Sequence, residues 1–338
     1  MLVSVIDDPE ELAALAPAWW ALWRRAGAGP FQSPAWLLPW IDVFRSGRLV
    51  ALVARREGTL AGLLPLYARD EADGRRLRPC GIGASDYLDG VFDPDGADAV
   101  AAAMLVRLGQ AEPGAFLDLP RLPRESPLAR VPVPSAWDDR REPGEPCPVL
   151  ALPADPGALP AALPKRMAQN LRYYRRRAEA AGRLDIRRAG REDAPASFET
   201  LAALHRRRWQ GRGEGGVLDD TAVRRFHAAA VPALAEAGLL RLYTLTLDGT
   251  PLAALYALAT GSTTAYYIGG FDPAAAGLGV GTLLIGHAVA EAAAEGAREF
   301  DFLRGREPYK YLWGAVDRAV VDRWVRLPAR VSGAPAGA

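Results

Sequence analysis

One weak internal repeat constrains this chain more than any single motif in it, because a duplicated unit sets the architecture of both copies. Residues 49–67, LVALVARREGTLAGLLPLY, resemble residues 240–258, LRLYTLTLDGTPLAALYAL, when Pro251 is taken as a one-residue insertion. Each reads as strand, turn, strand: Glu57-Gly58-Thr59 and Asp248-Gly249-Thr250 supply turn chemistry between apolar runs of strand length. The copies lie about half the chain apart, and 338 residues suffice for two ordinary domains. Two related halves are therefore expected, 1–147 and 148–330, meeting in the proline-rich, charged stretch Pro120–Pro148, which reads as a linker or long connection. The last residues, 331–338, have nothing to bury and read as a disordered tail.

Periodicity predicts helices over about 10–26 and 35–45, strands near 49–56 and 60–68, a strand near Tyr87–Phe92, a helix over about 95–110 and a strand at Phe116–Leu119. The second half opens with a strand at Val149–Leu152 and a long basic helix over about 157–181, ended by Gly182. Helices near 192–211 and 219–237 precede three successive strands, 239–247, 252–260 and 263–270. A glycine-rich loop, a helix to about Glu295, a strand at Glu299–Leu303 and a last strand near 320–327 complete that half. The class is α/β (α+β): two mixed-sheet halves flanked by helices.

Charge and cysteine content remove several function classes. Lys plus Arg number 41 against 40 Asp plus Glu, so no global field attracts DNA or an anionic membrane, and any anion site is local. Cys80, Cys147, His205, His227 and His287 show no ligand spacing, so no metal is expected. MLVSVIDDPEEL is acidic where a signal peptide is basic, and no run approaches the roughly 18 apolar residues of a membrane span. The expected location is cytoplasmic, with peripheral membrane association left open. Lys165 and Lys310 are the only lysines. In a chain that otherwise uses Arg, each can mark a place where a compact ammonium cannot give way to a planar guanidinium.

The strand TTAYYIGGF, the loop DPAAAGLGVG and the helix TLLIGHAVAEAAAEG form an anion-site layout. Gly277, Gly279 and Gly281 let a ligand approach bare backbone, and the helix beginning at Val280-Gly281-Thr282 offers free amides to a phosphate. A Rossmann site would want GxGxxG directly after a strand and an acid about 20 residues on, where Asp301 stands. Residues 271–276 separate strand from glycine, however, and antiparallel-looking strands precede the loop. The alternative is an acyl-coenzyme A loop of the form (Q/R)xxGxG/A, with Ala276 in the first position.

Downstream, EFDFLRGREPYKYLWG gathers Asp301, Arg304, Tyr309 and Lys310 within a short span. With PFQSPAWLLPW near Phe31, the SDYLD segment ending at Asp89, LPKRMAQNLRYYRRRAEAAG from Leu163 and RRRW from Arg206, it makes the chain similar to the CelD-type (BcsL-like) GNAT acetyltransferases assigned to cellulose and exopolysaccharide biosynthesis. That family is related to the Fem-type aminoacyltransferases and is built from two GNAT-like halves. The resemblance implies a tandem GNAT-like fold using acyl-CoA as donor. It implies that Gly277, Gly279, Val280, Gly281, Thr282 and Arg304 bind the donor, while Asp301, Tyr309 and Lys310 act on the reacting groups.

Transfer from a thioester to an amine needs a neutral amine, a polarised carbonyl and a proton for the departing thiolate. Asp301 could orient or deprotonate the amine, Lys310 stabilise an oxyanion or a phosphate, and Tyr309 protonate the thiolate. Lys165–Arg191 carries ten basic residues against Glu179 and Asp185, so one face suits an anionic partner. Asn170, Arg172 and Tyr173 stand there at the family motif, although Met167-Ala168-Gln169 replaces a commonly found arginine. Asp86 and Tyr87, in the first half, are candidate acceptor contacts, with Trp209 and Tyr267 completing the set. The expected reaction is acyl transfer to an amine, small-molecule or lipid-linked, of a sugar or envelope polysaccharide precursor. The alternatives are a Fem-like transferase using aminoacyl-tRNA, with the basic helix as tRNA contact, and a noncatalytic cyclic-dinucleotide sensor, which Ala276 keeps open.

Overall fold

A computed structural model describes residues 1–210 and 215–329, so the tail expected at 331–338 lies outside the described residues. The first elements are β1 (Leu2–Ile6), α1 (Pro9–Ala14), α2 (Ala16–Ala26), α3 (Pro34–Phe44), β2 (Arg48–Arg56), β3 (Thr59–Glu71) and β4 (Gly74–Pro79). Then come β5 (Val91–Phe92), α4 (Ala97–Ala111), β6 (Phe116–Pro123), α5 (Pro127–Arg130), β7 (Asp138–Pro143) and β8 (Cys147–Ala151). They are followed by α6 (Leu159–Ala162), α7 (Lys165–Ala181), β9 (Leu184–Arg188), α8 (Ala194–Gln210), α9 (Thr221–Glu236), β10 (Leu240–Leu247), β11 (Thr250–Thr260) and β12 (Thr263–Phe271). The chain closes with α10 (Val280–Ala294), β13 (Glu299–Asp301), α11 (Pro308–Tyr311), β14 (Val316–Arg318) and β15 (Val320–Arg326).

Two compact units result: Met1–Glu145 with the segment from Ala319, and Pro146–Arg318. The first holds a mixed sheet in the order β1-β2-β3-β4-β6-β15-β7, with β5 on β3; the second holds β14-β8-β13-β12-β11-β10-β9. Each sheet has one parallel pair among the described residues, β4 with β6 and β12 with β13, and in each a helix connects the two strands. No described helix is long and apolar enough to cross a membrane.

The duplicated hairpins correspond residue for residue. Glu57 and Gly58 have φ of 50° and 80°, Asp248 and Gly249 of 49° and 79°, the left-handed pair of a type I′ turn. Both hairpins are bulged at the same step, from Ala54↔Gly62 to Arg55↔Leu60 and from Leu245↔Ala253 to Thr246↔Pro251. Pro251 is therefore the counterpart of Leu60 and not an insertion. It sits at a bulge, where a missing N–H is tolerated.

Other differences have local causes. The stretch Pro120–Pro148 is more than a connection: β6 runs to Pro123 and β7 forms an edge strand ending in Pro143. β15, read from sequence as closing the second half, pairs with β6 and β7 in the first sheet. Its fully buried Arg323 pins it there, with Nε and Nη2 each 2.8 Å from an Asp139 carboxylate oxygen and Nη2 donating to the Val131 carbonyl at 2.9 Å. The long basic helix breaks at Leu163-Pro164, where Pro164 becomes the N-cap of α7. The strand expected at Tyr87–Phe92 shrinks to β5.

Candidate active site

β12 meets β13 only at Thr263–Ala265, yet continues to Phe271 after β13 has ended. A bulge taking the β11 register from Tyr256↔Ile268 to Ala257↔Tyr266 bends β12 just where the pair parts. Beside this distal half of β12 lies a cavity of about 290 Å³. Tyr266 and Phe271 line it with Arg208 of α8, Tyr309 of α11, and Ala276, Gly279, Val280, Gly281 and Thr282 of the loop and the first turn of α10.

Loop geometry follows from the sequence. Asp272 accepts from the Ala274 N–H at 3.0 Å and starts a 3₁₀ turn over Pro273–Leu278. Gly279, at φ 65°, ends it and becomes the N-cap of α10, with no side chain capping that helix. The amides of Val280, Gly281 and Thr282 thus begin a fifteen-residue helix whose positive end lies at the cavity. The glycines have different reasons for being there. A Cβ on Gly279 would stand 2.4 Å from Cγ of Tyr174 on α7, so close packing requires that glycine as well as the positive φ. A Cβ on Gly281 would sit 3.5 Å from Cδ1 of Phe271, an ordinary contact. Gly277 is exposed, does not line the cavity, and faces Nη2 of Arg177 at 3.6 Å from its would-be Cβ.

Of the three residues expected to act on the reacting groups, Tyr309 alone lines the cavity. Burial, with the neighbouring Tyr266 adding, pushes its hydroxyl well above the usual phenol range, and burial raises Tyr266 too. Both stay protonated at neutral pH. Asp301 is buried beneath the turn that follows β13: Oδ1 accepts from the Leu303 N–H at 2.7 Å, and Oδ2 lies 3.5 Å from Arg318. It shapes a bend in which Leu303 has φ 57°. Lys310, 3% exposed, donates from Nζ to the carbonyls of Leu303 (3.1 Å), Arg304 (2.6 Å) and Gly305 (3.2 Å) and pairs with Glu307 at 2.9 Å. Three converging carbonyls suit a compact ammonium, which accounts for a lysine here, and they commit it to the loop that carries Tyr309. The Arg304 side chain is exposed, and its carbonyl belongs to this same cage.

The expected acceptor residues are dispersed. Tyr173 is half exposed and Arg172 exposed, whereas Leu171, Tyr174 and Arg177 form the α7 face that meets α10 and its loop. Asn170 is half-buried near the start of α7. Tyr267 meets the His227 ring at a tilt and the Tyr256 ring edge-on, each at a centroid distance of 5.4 Å, and does not line the cavity. Trp209 donates from Nε1 to His205 Nε2 at 2.9 Å, also off the lining. Asp86 and Tyr87 belong to the first unit, where Asp86 is 4.0 Å from Arg121 and the Tyr87 carbonyl accepts from Gln32 at 2.9 Å. That unit repeats the layout, with Gly96 at φ 82° before α4. Asp93 and Asp95 precede this helix and Asp98 lies in its first turn, where Arg25 pairs with Asp93 at 3.0 Å and Arg130 with Asp98 at 2.7 Å, so its N-terminus is already occupied by carboxylates. Sequence reasoning had Arg208 within the RRRW motif but gave it no place in the site, and it left out Tyr266 and Tyr174. The i, i+3, i+6 spacing of Leu171, Tyr174 and Arg177 could have selected Tyr174; nothing in the sequence announced the bulge that turns Tyr266 rather than Tyr267 to the cavity.

Residues 165–311 match the family model described as an acetyltransferase (GNAT) domain. No curated protein matches the chain. Among solved structures it is similar to FemX, with a TM-score of 0.66 at 12% identity, covering 96% of this chain and 97% of that one. It is also similar to L-PGS from Bacillus licheniformis, with a TM-score of 0.56 at 12% identity, covering 97% and 94%. At such identities these likenesses concern the fold alone. The mixed α/β chain, with its two sheets, is thus of the GNAT fold, and its residues 165–311 are similar to the GNAT acetyltransferase domain.

Proposed function

We propose that this GNAT-fold acyltransferase takes an acyl group from acyl-CoA and transfers it to an amine on a sugar or sugar-lipid precursor of envelope or exopolysaccharide. The observation that carries the reading is the parting of β12 from β13 beside an uncapped helix N-terminus, with Tyr309 in the same cavity. The first-turn amides of α10 would hold the donor pyrophosphate, and Gly281 leaves room for it to approach. The thioester supplies an activated carbonyl. A neutral amine attacks that carbon, the C–S bond breaks as the C–N bond forms, and the nitrogen gives its surplus proton to solvent. Tyr309, kept protonated by burial, donates a hydrogen bond to the departing thiolate, which takes its proton from solvent. Asp301 and Lys310 act indirectly, by holding the loop that presents Tyr309.

A Fem-like reaction with aminoacyl-tRNA is the rival, favoured by the exposed Arg166, Arg172, Arg175 and Arg176 along α7. A thermal-shift panel of acetyl-CoA, long-chain acyl-CoA, charged tRNA, nucleotide-sugars and cyclic dinucleotides separates them. A ligand at 100 times its Kd adds about 2.7 kcal/mol of stability. Stabilisation by an acyl-CoA supports the proposal; salt-sensitive stabilisation by charged tRNA alone overturns it.

A further inference from the structure

Where arginines of this chain are enclosed, they commonly hold carboxylates. Fully buried Arg323 holds Asp139, Arg78 holds Glu71 and Asp118, and Arg241 holds Glu295. Arg208 differs. It is half-buried in the cavity wall of the second unit, and among the described residues no carboxylate lies within ion-pairing distance of it. Its Nη1 donates to the Gly269 carbonyl at 3.2 Å, while its Nε is buried without a hydrogen-bond partner. Aromatic rings flank the guanidinium, Phe271 at 5.2 Å and Trp209 at 5.9 Å from its central carbon.

A cation so enclosed loses water without gaining a counter-ion, and an unmade hydrogen bond to a charged group adds to that cost. Tyr266 and Tyr309 share the cavity, and among the described residues no acidic side chain lines it. One cation, two phenols and no acid describe a receptor for an anion. A guanidinium is planar and forked, matching the two oxygens of a carboxylate, and the flanking rings orient that fork. With about 290 Å³ available, the anion must be compact and close to the reacting atoms.

We propose that Arg208 receives a carboxylate carried by the substrate beside the reacting centre. This rests on the acyltransferase reading above. The carboxylate could come from the acyl group, as in a dicarboxylic acyl thioester, or from the acceptor, as in an amino acid.

The test is calorimetric titration of the full chain and of Arg208→Gln and Arg208→Lys, with folding checked by melting. A donor arm compares succinyl-CoA with acetyl-CoA; an acceptor arm compares L-alanine with L-alaninamide, which keeps the amine and loses the carboxylate. In one arm the unmodified protein should prefer the carboxylate-bearing probe by tenfold or more. Arg208→Gln should abolish the preference, and Arg208→Lys, with charge but no fork, should keep part of it. The arm showing the preference identifies the source of the carboxylate. No preference in either arm, or a preference that survives Arg208→Gln in a folded variant, overturns the proposal. Equal binding of both CoA esters with no acceptor preference overturns it while leaving the acyl-CoA reading intact. A preference for L-alanine with no binding of either CoA ester supports Arg208 as a carboxylate receptor and overturns the acyl-CoA reading instead.

Discussion

Lys310 offers the sharpest link between one side chain and the fold of the site. Its ammonium donates to three carbonyls, of Leu303, Arg304 and Gly305, at 2.6–3.2 Å, and meets Glu307 at 2.9 Å while 3% exposed. Lys310→Met removes every donor and leaves enclosed carbonyls unmet, each costing about 1–3 kcal/mol, while the half-exposed Glu307 returns to water. Lys310→Arg keeps the charge, but a planar fork cannot point at three carbonyls around a compact centre. With one carbonyl left unmet, about 1–3 kcal/mol should be lost. Urea unfolding of both variants, with hydrogen exchange of the Leu303–Gly305 amides, measures this. Turnover should fall alongside stability, because the caged loop leads directly into Tyr309. Two variants within about 0.5 kcal/mol of the unmodified protein, with unchanged exchange, would behave as surface substitutions do and refute the cage.

Tyr309→Phe should keep donor affinity and melting temperature but slow turnover by about a hundredfold or more, the usual scale for a lost donor aimed at developing charge; an unchanged kcat removes Tyr309 from the chemistry. Burial lowers His205 from 6.5 to about 4 and His227 to about 3, so the folded chain refuses protons that the unfolded chain accepts below pH 6.5. Stability should therefore fall as pH drops from 6.5 towards 4, by about 3 kcal/mol from His205 alone at roughly 1.4 kcal/mol per unit. Urea midpoints measured from pH 7.5 to 4.5 should show the fall, and His227→Phe should flatten its His227 share. Arg323→Met, which leaves the Leu128 and Val131 carbonyls without their donor and Asp139 with Arg141 alone, should cost about 1–3 kcal/mol in a urea titration; a loss under about 0.5 kcal/mol would mean the pair does not anchor β15.

Local chemistry was legible in the sequence and distant pairing was not. The acid-glycine pairs Glu57-Gly58 and Asp248-Gly249 between apolar runs identified two hairpins, because a type I′ turn needs residues that accept positive φ. The gap assigned at Pro251 came from matching residue types; the shared bulge that removes it is a property of pairing. β15 looks like any amphipathic strand, and its place beside β6 depends on partners about 200 residues earlier in the chain. Lys310 stood out by composition as a place needing a compact ammonium, but its three carbonyl partners carry no side-chain signature. The choice of Tyr173 over Tyr174 followed a motif, whereas the helical face is set by Gly279 and Gly286, where a Cβ would meet Tyr174 at 2.4 Å and Leu171 at 2.6 Å.

Titration of acetyl-CoA into the full chain and into Gly281→Val tests the central claim most directly. Gly281 is the discriminating glycine, because Gly279→Val would fail on the Tyr174 ring and on its φ of 65° whatever the ligand. At Gly281 an added side chain starts from ordinary contact with Phe271, so the fold should survive while the backbone approach to the first-turn amides closes. The account predicts binding to the unmodified chain and at least a tenfold loss in Gly281→Val at nearly unchanged melting temperature. Equal affinity in the two proteins, or no acetyl-CoA affinity in the unmodified chain, would contradict it.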